Sequence, residues 1–232
     1  MAGFQERFRN DEVRYYPVIL LLDVSGSMKG EPIKILHEAV CIMVDTFAQE
    51  MRLENMFKIA IITFGADGAV IHTPYTEATE LQRRGVPELK AGGGTLLYEA
   101  LTVAKDMIED KAKTPGKWYI PSVVLVSDGH PASGWEKALN NFVQTGRTAK
   151  CFRIGVPIGS KADEDMMLRF TGESSMIFHA ENVNSLAKTF REVSEVISKT
   201  STGSNKHPVP TVKRSIATTV KRPIRHDDND DE

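Results

Sequence analysis

Apolar and polar positions follow two rhythms along this chain, and the rhythms take turns. Pro17 to Leu22 is an unbroken apolar run, as in a strand buried on both faces, and it stops abruptly at Asp23-Val24-Ser25-Gly26-Ser27-Met28. Glu31 to Arg52 then switches to helical spacing, with Ile33, Leu36, Val40, Val44 and Phe47 recurring behind Pro32 in the first turn. Phe57 to Phe64 reads as a second strand that turns through a hairpin into Ala69 to His72. Residues 75–93 lack a clear period apart from a short helix near Glu77 to Arg84, and Leu96 to Lys111 is a second amphipathic helix. Ser122 to Ser127 repeats the opening theme, an apolar strand ending at a carboxylate, Asp128. A helix (Trp135 to Thr145), a strand (Ala149 to Val156), a helix (Ala162 to Thr171), a strand (Ser175 to His179) and a helix (Val183 to Ser198) complete the pattern. The alternation predicts an α/β, doubly wound fold: a mostly parallel central sheet with helices on both faces and one antiparallel edge strand.

The 232 residues, 41% of them hydrophobic, suffice for one large core, expected over 15–200 with a short extension before it and a charged tail at 201–232. A net charge of −2 gives no broad field for nucleic acid or an anionic membrane. Cys41 and Cys151 sit in apolar runs without metal-ligand spacing, so both are expected as buried, reduced thiols. No apolar run approaches the ~20 residues of a membrane span, and Met1 to Tyr16 carries no apolar leader. A cytoplasmic protein, with no membrane partner, is the expectation.

In a doubly wound sheet, ligands bind beyond the carboxyl ends of the strands, where the strand order reverses. Chemistry is therefore sought after Leu22 and after Val126. Three segments bring hard oxygen donors there: Asp23, Ser25 and Ser27; Thr95, behind Gly92-Gly93-Gly94; and Asp128 in Val126-Ser127-Asp128-Gly129. Two carboxylates and three hydroxyls form a plausible octahedral set for Mg²⁺, with Mn²⁺ or Ca²⁺ as alternatives. Each residue also has a plainer reading, since Ser25, Ser27 and Thr95 can cap helices and Asp128 can close a turn. Capping, however, does not call for two acids at the ends of two buried strands.

Enzymatic alternatives fail on chemistry. Ser25 stands where an aspartyl phosphatase needs a second acid, and Gly92-Gly93-Gly94-Thr95 lacks the lysine of a phosphate-binding loop. There is no Gly-x-Ser-x-Gly elbow. His130 lies near the site, but a general base also needs a positioned nucleophile.

The stretches Leu22 to Gly30, Gly92 to Leu96, Ser127 to Pro131 and Phe152 to Val156 together resemble a von Willebrand factor type A (VWA) domain and its metal ion-dependent adhesion site. Within that family the chain is similar to the bacterial TerY-type proteins of tellurium-resistance and stress operons. Ala132-Ser133-Gly134 departs from the pattern, where Thr and an acidic residue are expected. The resemblance implies that Ser25, Ser27 and Thr95 bind the metal directly and that Asp23 and Asp128 act mainly through waters. It also implies a protein partner that supplies an Asp or Glu to the cation, and it raises an operon-encoded kinase and phosphatase as further partners.

From Gly203 onward a basic block (Lys206, Lys213, Arg214, Lys221, Arg222, Arg225) precedes the acidic run Asp227 to Glu232. Disorder is expected there, and Thr211-Val212-Lys213-Arg214 recurs as Thr219-Val220-Lys221-Arg222. Two lesser alternatives stand beside the metal-dependent interaction module: a regulatory subunit or substrate in a kinase/phosphatase relay, the tail offering phosphorylation sites, or a nucleic-acid-associated protein acting through its basic tail.

Overall fold

The central strand of the sheet is the first one, and its composition explains the layering around it. β1 (Arg14–Asp23) is apolar on both faces and fully buried from Val18 to Leu22, so neither face can meet water. In this computed structural model, which describes residues 14–50, 55–65 and 68–202, β1 pairs in parallel with β2 (Asn55–Gly65) on one side. On the other it pairs in parallel with β4 (Ser122–Ser127), which in turn pairs with β5 (Phe152–Pro157). β3 (Gly68–Glu77) runs antiparallel to β2, giving the five-strand order β3-β2-β1-β4-β5. The doubly wound sheet with one antiparallel edge strand is thus present as the hydrophobic pattern predicts.

Side chains alternate between two helical layers. Val18, Leu20 and Leu22 pack with α1 (Glu31–Gln49), α2 (Ala78–Arg84) and α6 (Leu186–Thr202). Ile19 and Leu21 pack with α3 (Leu97–Glu109), α4 (Trp135–Gln144) and α5 (Glu164–Thr171). Each fully buried aliphatic or aromatic side chain contributes about 1.5–3 kcal/mol, so the two layers carry most of the stability. Local signals fix the ends: Asp163 caps α5 by accepting from the Met166 N–H at 2.9 Å, and Gly172 ends it at φ 79°.

Three elements differ from the sequence expectation. β3 extends to Glu77, through Pro74, because an edge strand tolerates a residue without an N–H on its free side. β5 starts at Phe152, the residues before it being a single 3₁₀ turn at Thr148–Lys150. No strand forms at Ser175–His179; a 3₁₀ turn takes up Ser174–Met176, and only isolated parallel bridges, Gly155 with Ile177 and Ile158 with Ala180, run alongside β5. Of the extension expected at 1–14, Arg14 is the first residue of β1, and of the tail expected at 201–232, residues 201–202 close α6; the rest of both lies outside the described residues.

The chain leaves β1 toward β2 on one side and reaches β4 on the other. The strand order therefore reverses between β1 and β4, and a crevice opens beyond Asp23 and Ser127.

Candidate metal centre

Asp23 is the last residue of the central strand and is only 1% exposed. Its carboxylate is held at both oxygens: Oδ1 accepts from the Ser25 backbone N–H at 2.9 Å, and Oδ2 accepts from the hydroxyl of Ser127, at the tip of β4, at 2.6 Å. The Ser25 and Ser27 hydroxyls are 3.1 Å apart, and the Ser27 hydroxyl donates to Asp128 Oδ1 at 2.9 Å. Four of the five residues singled out in the sequence, with Ser127, thus form one connected hydrogen-bond network. Residues 104 positions apart meet in it.

The glycines before Thr95 let that segment close over the strand tips. The Gly92 N–H donates to the Val24 carbonyl at 2.7 Å, the Gly26 N–H donates to the Gly93 carbonyl at 2.8 Å, and the Val24 N–H donates to the Phe64 carbonyl at 3.0 Å. Gly65 completes the packing: a Cβ there would stand 2.7 Å from the Gly92 carbonyl oxygen and 2.9 Å from that of Val24. Thr95 is brought to the rim by its backbone, whose carbonyl accepts from the Ala132 N–H at 2.9 Å. Among the described residues its hydroxyl has no hydrogen bond to the other four.

Burial is the main influence on Asp23 and raises its pKa; hydrogen bonds from Ser127 and Ser25 pull the other way, and the negative charge of Asp128 adds to the rise. Neither acid has a Lys or Arg ion pair among the described residues. Two carboxylates share one crevice with neutral donors only, an arrangement short of positive charge. Spacing tests the fit of a cation. Neighbouring ligands of an octahedral ion with bonds of about 2.1 Å lie about 3 Å apart, and the Ser25 and Ser27 hydroxyl oxygens are 3.1 Å apart, with Asp128 Oδ1 accepting from Ser27 at 2.9 Å behind them. The donor set is hydroxyl and carboxylate, and among the described residues no group of three or more His, Cys, Asp or Glu gathers at a metal-binding spacing. The residues fit a hard divalent cation.

The rim beyond Asp128 carries His130, whose Nδ1 lies 3.0 Å from Asp163 Oδ2 while the ring is 74% exposed. Asp163 feels some burial, but the Met166 N–H and His130 hold its carboxyl below the usual range. His130 is thus engaged with the Asp163 helix cap. Two contributors escaped the sequence reading. Ser127 enters the sequence reading only as the end of a strand and the start of a motif stretch, with no role of its own, and Gly65 is not singled out there; its place just behind a strand tip is the signal that points to close approach.

Comparison with known proteins follows the same residues. Residues 18–130 match the family model described as the von Willebrand factor type A domain. Residues 18–130 carry the VWA match. The chain is 30% identical over 168 residues to inter-alpha-trypsin inhibitor heavy chain H2 of Mesocricetus auratus, an alignment spanning 68% of this chain and 17% of that protein. The chain therefore spans less than a fifth of the length of the curated relatives it matches. Among solved structures, proximal thread matrix protein 1 of the mussel byssus, with a zinc-occupied MIDAS motif, superposes with a TM-score of 0.63 at 15% identity. That match covers 80% of this chain and 46% of the other. Manganese-loaded TRAP protein of Plasmodium vivax superposes with a TM-score of 0.55 at 18% identity, covering 76% and 72%. At such identities these likenesses establish the VWA fold. The relatives named here are not TerY-type proteins, and that kinship rests on the motifs alone.

Proposed function

We propose that this VWA domain is a metal-gated receptor for a carboxylate on a protein partner. The observation that carries the proposal is the charge deficit at the crevice, where Asp23 and Asp128 meet hydroxyl residues and, among the described residues, pair with no Lys or Arg. The zinc-occupied mussel structure and the manganese-loaded Plasmodium structure support it. Ser25, Ser27 and Thr95 would hold Mg²⁺ directly, with Asp23 and Asp128 arranged behind them through water. Neutral direct ligands leave the bound cation much of its positive charge, and an Asp or Glu of the partner completes the coordination. The domain thereby recognises its partner without catalysing a reaction.

The motif resemblance to TerY-type proteins supports, in our reading, a role in a cytoplasmic bacterial stress-response, tellurite-resistance or defence system. An operon-encoded kinase and phosphatase are the first partners to try. Truncating one side of a desolvated charge contact costs about 2–5 kcal/mol, enough to make a micromolar complex too weak to isolate. Calorimetric titration with Mg²⁺ and a pull-down from the native host, with and without EDTA and with Asp23→Ala, test the reading. Mg²⁺ binding and EDTA-sensitive capture are expected. Capture that survives both EDTA and Asp23→Ala would move the interface elsewhere.

A further inference from the structure

Most glycines among the described residues have a reason inside the chain. Several take a positive φ, among them Gly30, Gly93 and Gly134. At Gly65 and Gly155 a Cβ would stand 2.7 Å from the Gly92 carbonyl oxygen and 3.1 Å from Met167 Sδ. Gly94 and Gly129 have neither reason: their φ is not positive, and a Cβ at either would meet nothing within 4 Å. Gly116 is as free, but it follows Pro115 in a turn closed by the Trp118 N–H on the Pro115 carbonyl at 3.1 Å, where a Pro-Gly pair is an ordinary turn signal. An alanine that the backbone accepts without strain steadies a fold, because it restricts the unfolded chain. At Gly94 and Gly129 the fold forgoes that gain with nothing inside the chain in return.

Both lie at the candidate metal centre. Gly94 immediately precedes Thr95 and Gly129 immediately follows Asp128, while Gly26, which is exposed, lies between Ser25 and Ser27. Each of the three segments that bring candidate ligands together therefore carries a glycine beside its ligand. Ser25 is only 4% exposed whereas Gly26 and Ser27 are exposed, so the ligand set runs from just below the surface to the surface itself. With no side chain at Gly26, Gly94 and Gly129, a second backbone can settle directly against this rim. Gly94 takes part in no backbone hydrogen bond among the described residues, which leaves its N–H and C=O open to a main chain laid alongside.

We propose that the rim is kept bare for an extended loop of the partner and selects Asp over Glu as the residue presented to the cation. This rests on the metal reading above and specifies the partner that the reading leaves general. Asp holds its carboxylate one methylene closer to its own backbone than Glu does, so it reaches ligands below the surface only where the two backbones touch. Glu spans the extra layer that rim side chains would form. A bare rim is thus a requirement for Asp and a matter of indifference to Glu. An extended loop also has free N–H and C=O groups to pair with those of Gly94, whereas a helix spends its own internally and keeps them behind its side chains.

The test uses the full chain saturated with Mg²⁺ and three end-blocked probe peptides that differ at one position: Ser-Gly-Asp-Gly-Ser, Ser-Gly-Glu-Gly-Ser and Ser-Gly-Asn-Gly-Ser. Peptide affinity is read from amide chemical shifts, which follow weak binding; calorimetry gives Mg²⁺ affinity and thermal melts give stability. The wild type should bind the Asp peptide several-fold more tightly than the Glu peptide and the Asn peptide not measurably, with the largest shifts at Gly94 and Gly129. Gly94→Ala combined with Gly129→Ala should bind Mg²⁺ as the wild type does and melt at the same temperature or higher. It should nevertheless bind the Asp peptide about ten-fold more weakly, since the charge contact is held off the ion, and the Glu peptide as before. Equal binding of the Asp and Glu peptides by the wild type, or Asp binding unchanged by the two alanines, would overturn the rim inference and leave the metal reading intact. An Mg²⁺-loaded protein that binds neither acidic peptide would overturn the carboxylate receptor and this inference together, and a protein that binds no Mg²⁺ would overturn the metal reading beneath both.

Discussion

Gly65→Ala is the sharpest test of how the metal centre is built, because a single methyl group meets backbone and not a pliable side chain. The new Cβ would lie 2.7 Å from the Gly92 carbonyl oxygen, 2.9 Å from the Val24 carbonyl oxygen and 3.0 Å from Val24 Cγ2. Ordinary contact begins near 3.4 Å, so Gly92 and Val24 must separate from Gly65 by about 0.5–0.7 Å. Overpacking of this kind costs about 1–3 kcal/mol. The 2.7 Å bond from Gly92 to Val24 lies in the path of that shift, and losing it adds about 0.5–1.5 kcal/mol. Much of the displacement should pass to Gly92–Thr95, because β2 is locked in the sheet and that segment is not. Binding constellations tolerate about 0.5 Å of error, so Mg²⁺ affinity should fall at least ten-fold, with a lower melting temperature. Gly94→Ala is the control, since its Cβ would meet nothing within 4 Å. Calorimetry and thermal melts on both variants decide the matter. Unchanged Mg²⁺ affinity in Gly65→Ala, or an equal loss in Gly94→Ala, would refute the close-approach argument.

Ser25→Ala combined with Asp128→Ala should abolish Mg²⁺ binding by calorimetry while the melting curve of the metal-free protein moves little, since both side chains sit at the rim. Ser127→Ala should destabilise the fold by about 1–3 kcal/mol in denaturant titration, because it leaves a buried carboxylate oxygen of Asp23 without its 2.6 Å donor. Asp23→Asn should act in opposite directions on stability and binding. Burial raises the Asp23 pKa, so the metal-free folded state holds this proton more tightly than the unfolded state does. The destabilisation from this group is then full at neutral pH and fades as pH falls through the raised value toward the unfolded one. Melts of Asp23→Asn against wild type, without metal, should show the variant's relative advantage shrinking as pH drops; an advantage that grows would contradict the assignment. The same variant should bind Mg²⁺ more weakly.

Much of this arrangement could be read from the chain because its information is local. Val18 to Leu22 announces a strand buried on both faces, and Asp23 and Asp128 mark where two such strands stop. The open reading left for residues 75–93 traces to Pro74 and the irregular pairing opposite His72, which interrupt the two-residue rhythm of β3. Ser175–His179 misled for the opposite reason: its pattern suits a strand, but a 3₁₀ turn at Ser174–Met176 leaves only two bridges to β5. Ser127 was hidden because nothing local separates a serine that ends a strand from one that holds a buried carboxylate 104 residues away. Gly65 was hidden because its demand comes from Gly92, a neighbour only in space.

The bond between Ser127 and Asp23 also sets the order in which folding and metal loading can occur. A short peptide that wraps its ligands around zinc can use the ion to fold, but here the oxygens converge only after β1 and β4 have paired across the intervening hundred residues. The cation arrives at a finished sheet. At ten times its dissociation constant it would add about 1.4 kcal/mol, a modest brace for a core held by two helical layers. Chelation should silence the receptor without unfolding it, and a proteolytic fragment that keeps Asp23, Ser25 and Ser27 but loses β4 should be blind to Mg²⁺. Occupancy of the site is in that sense a proofreading mark, available only to chains that have completed the sheet.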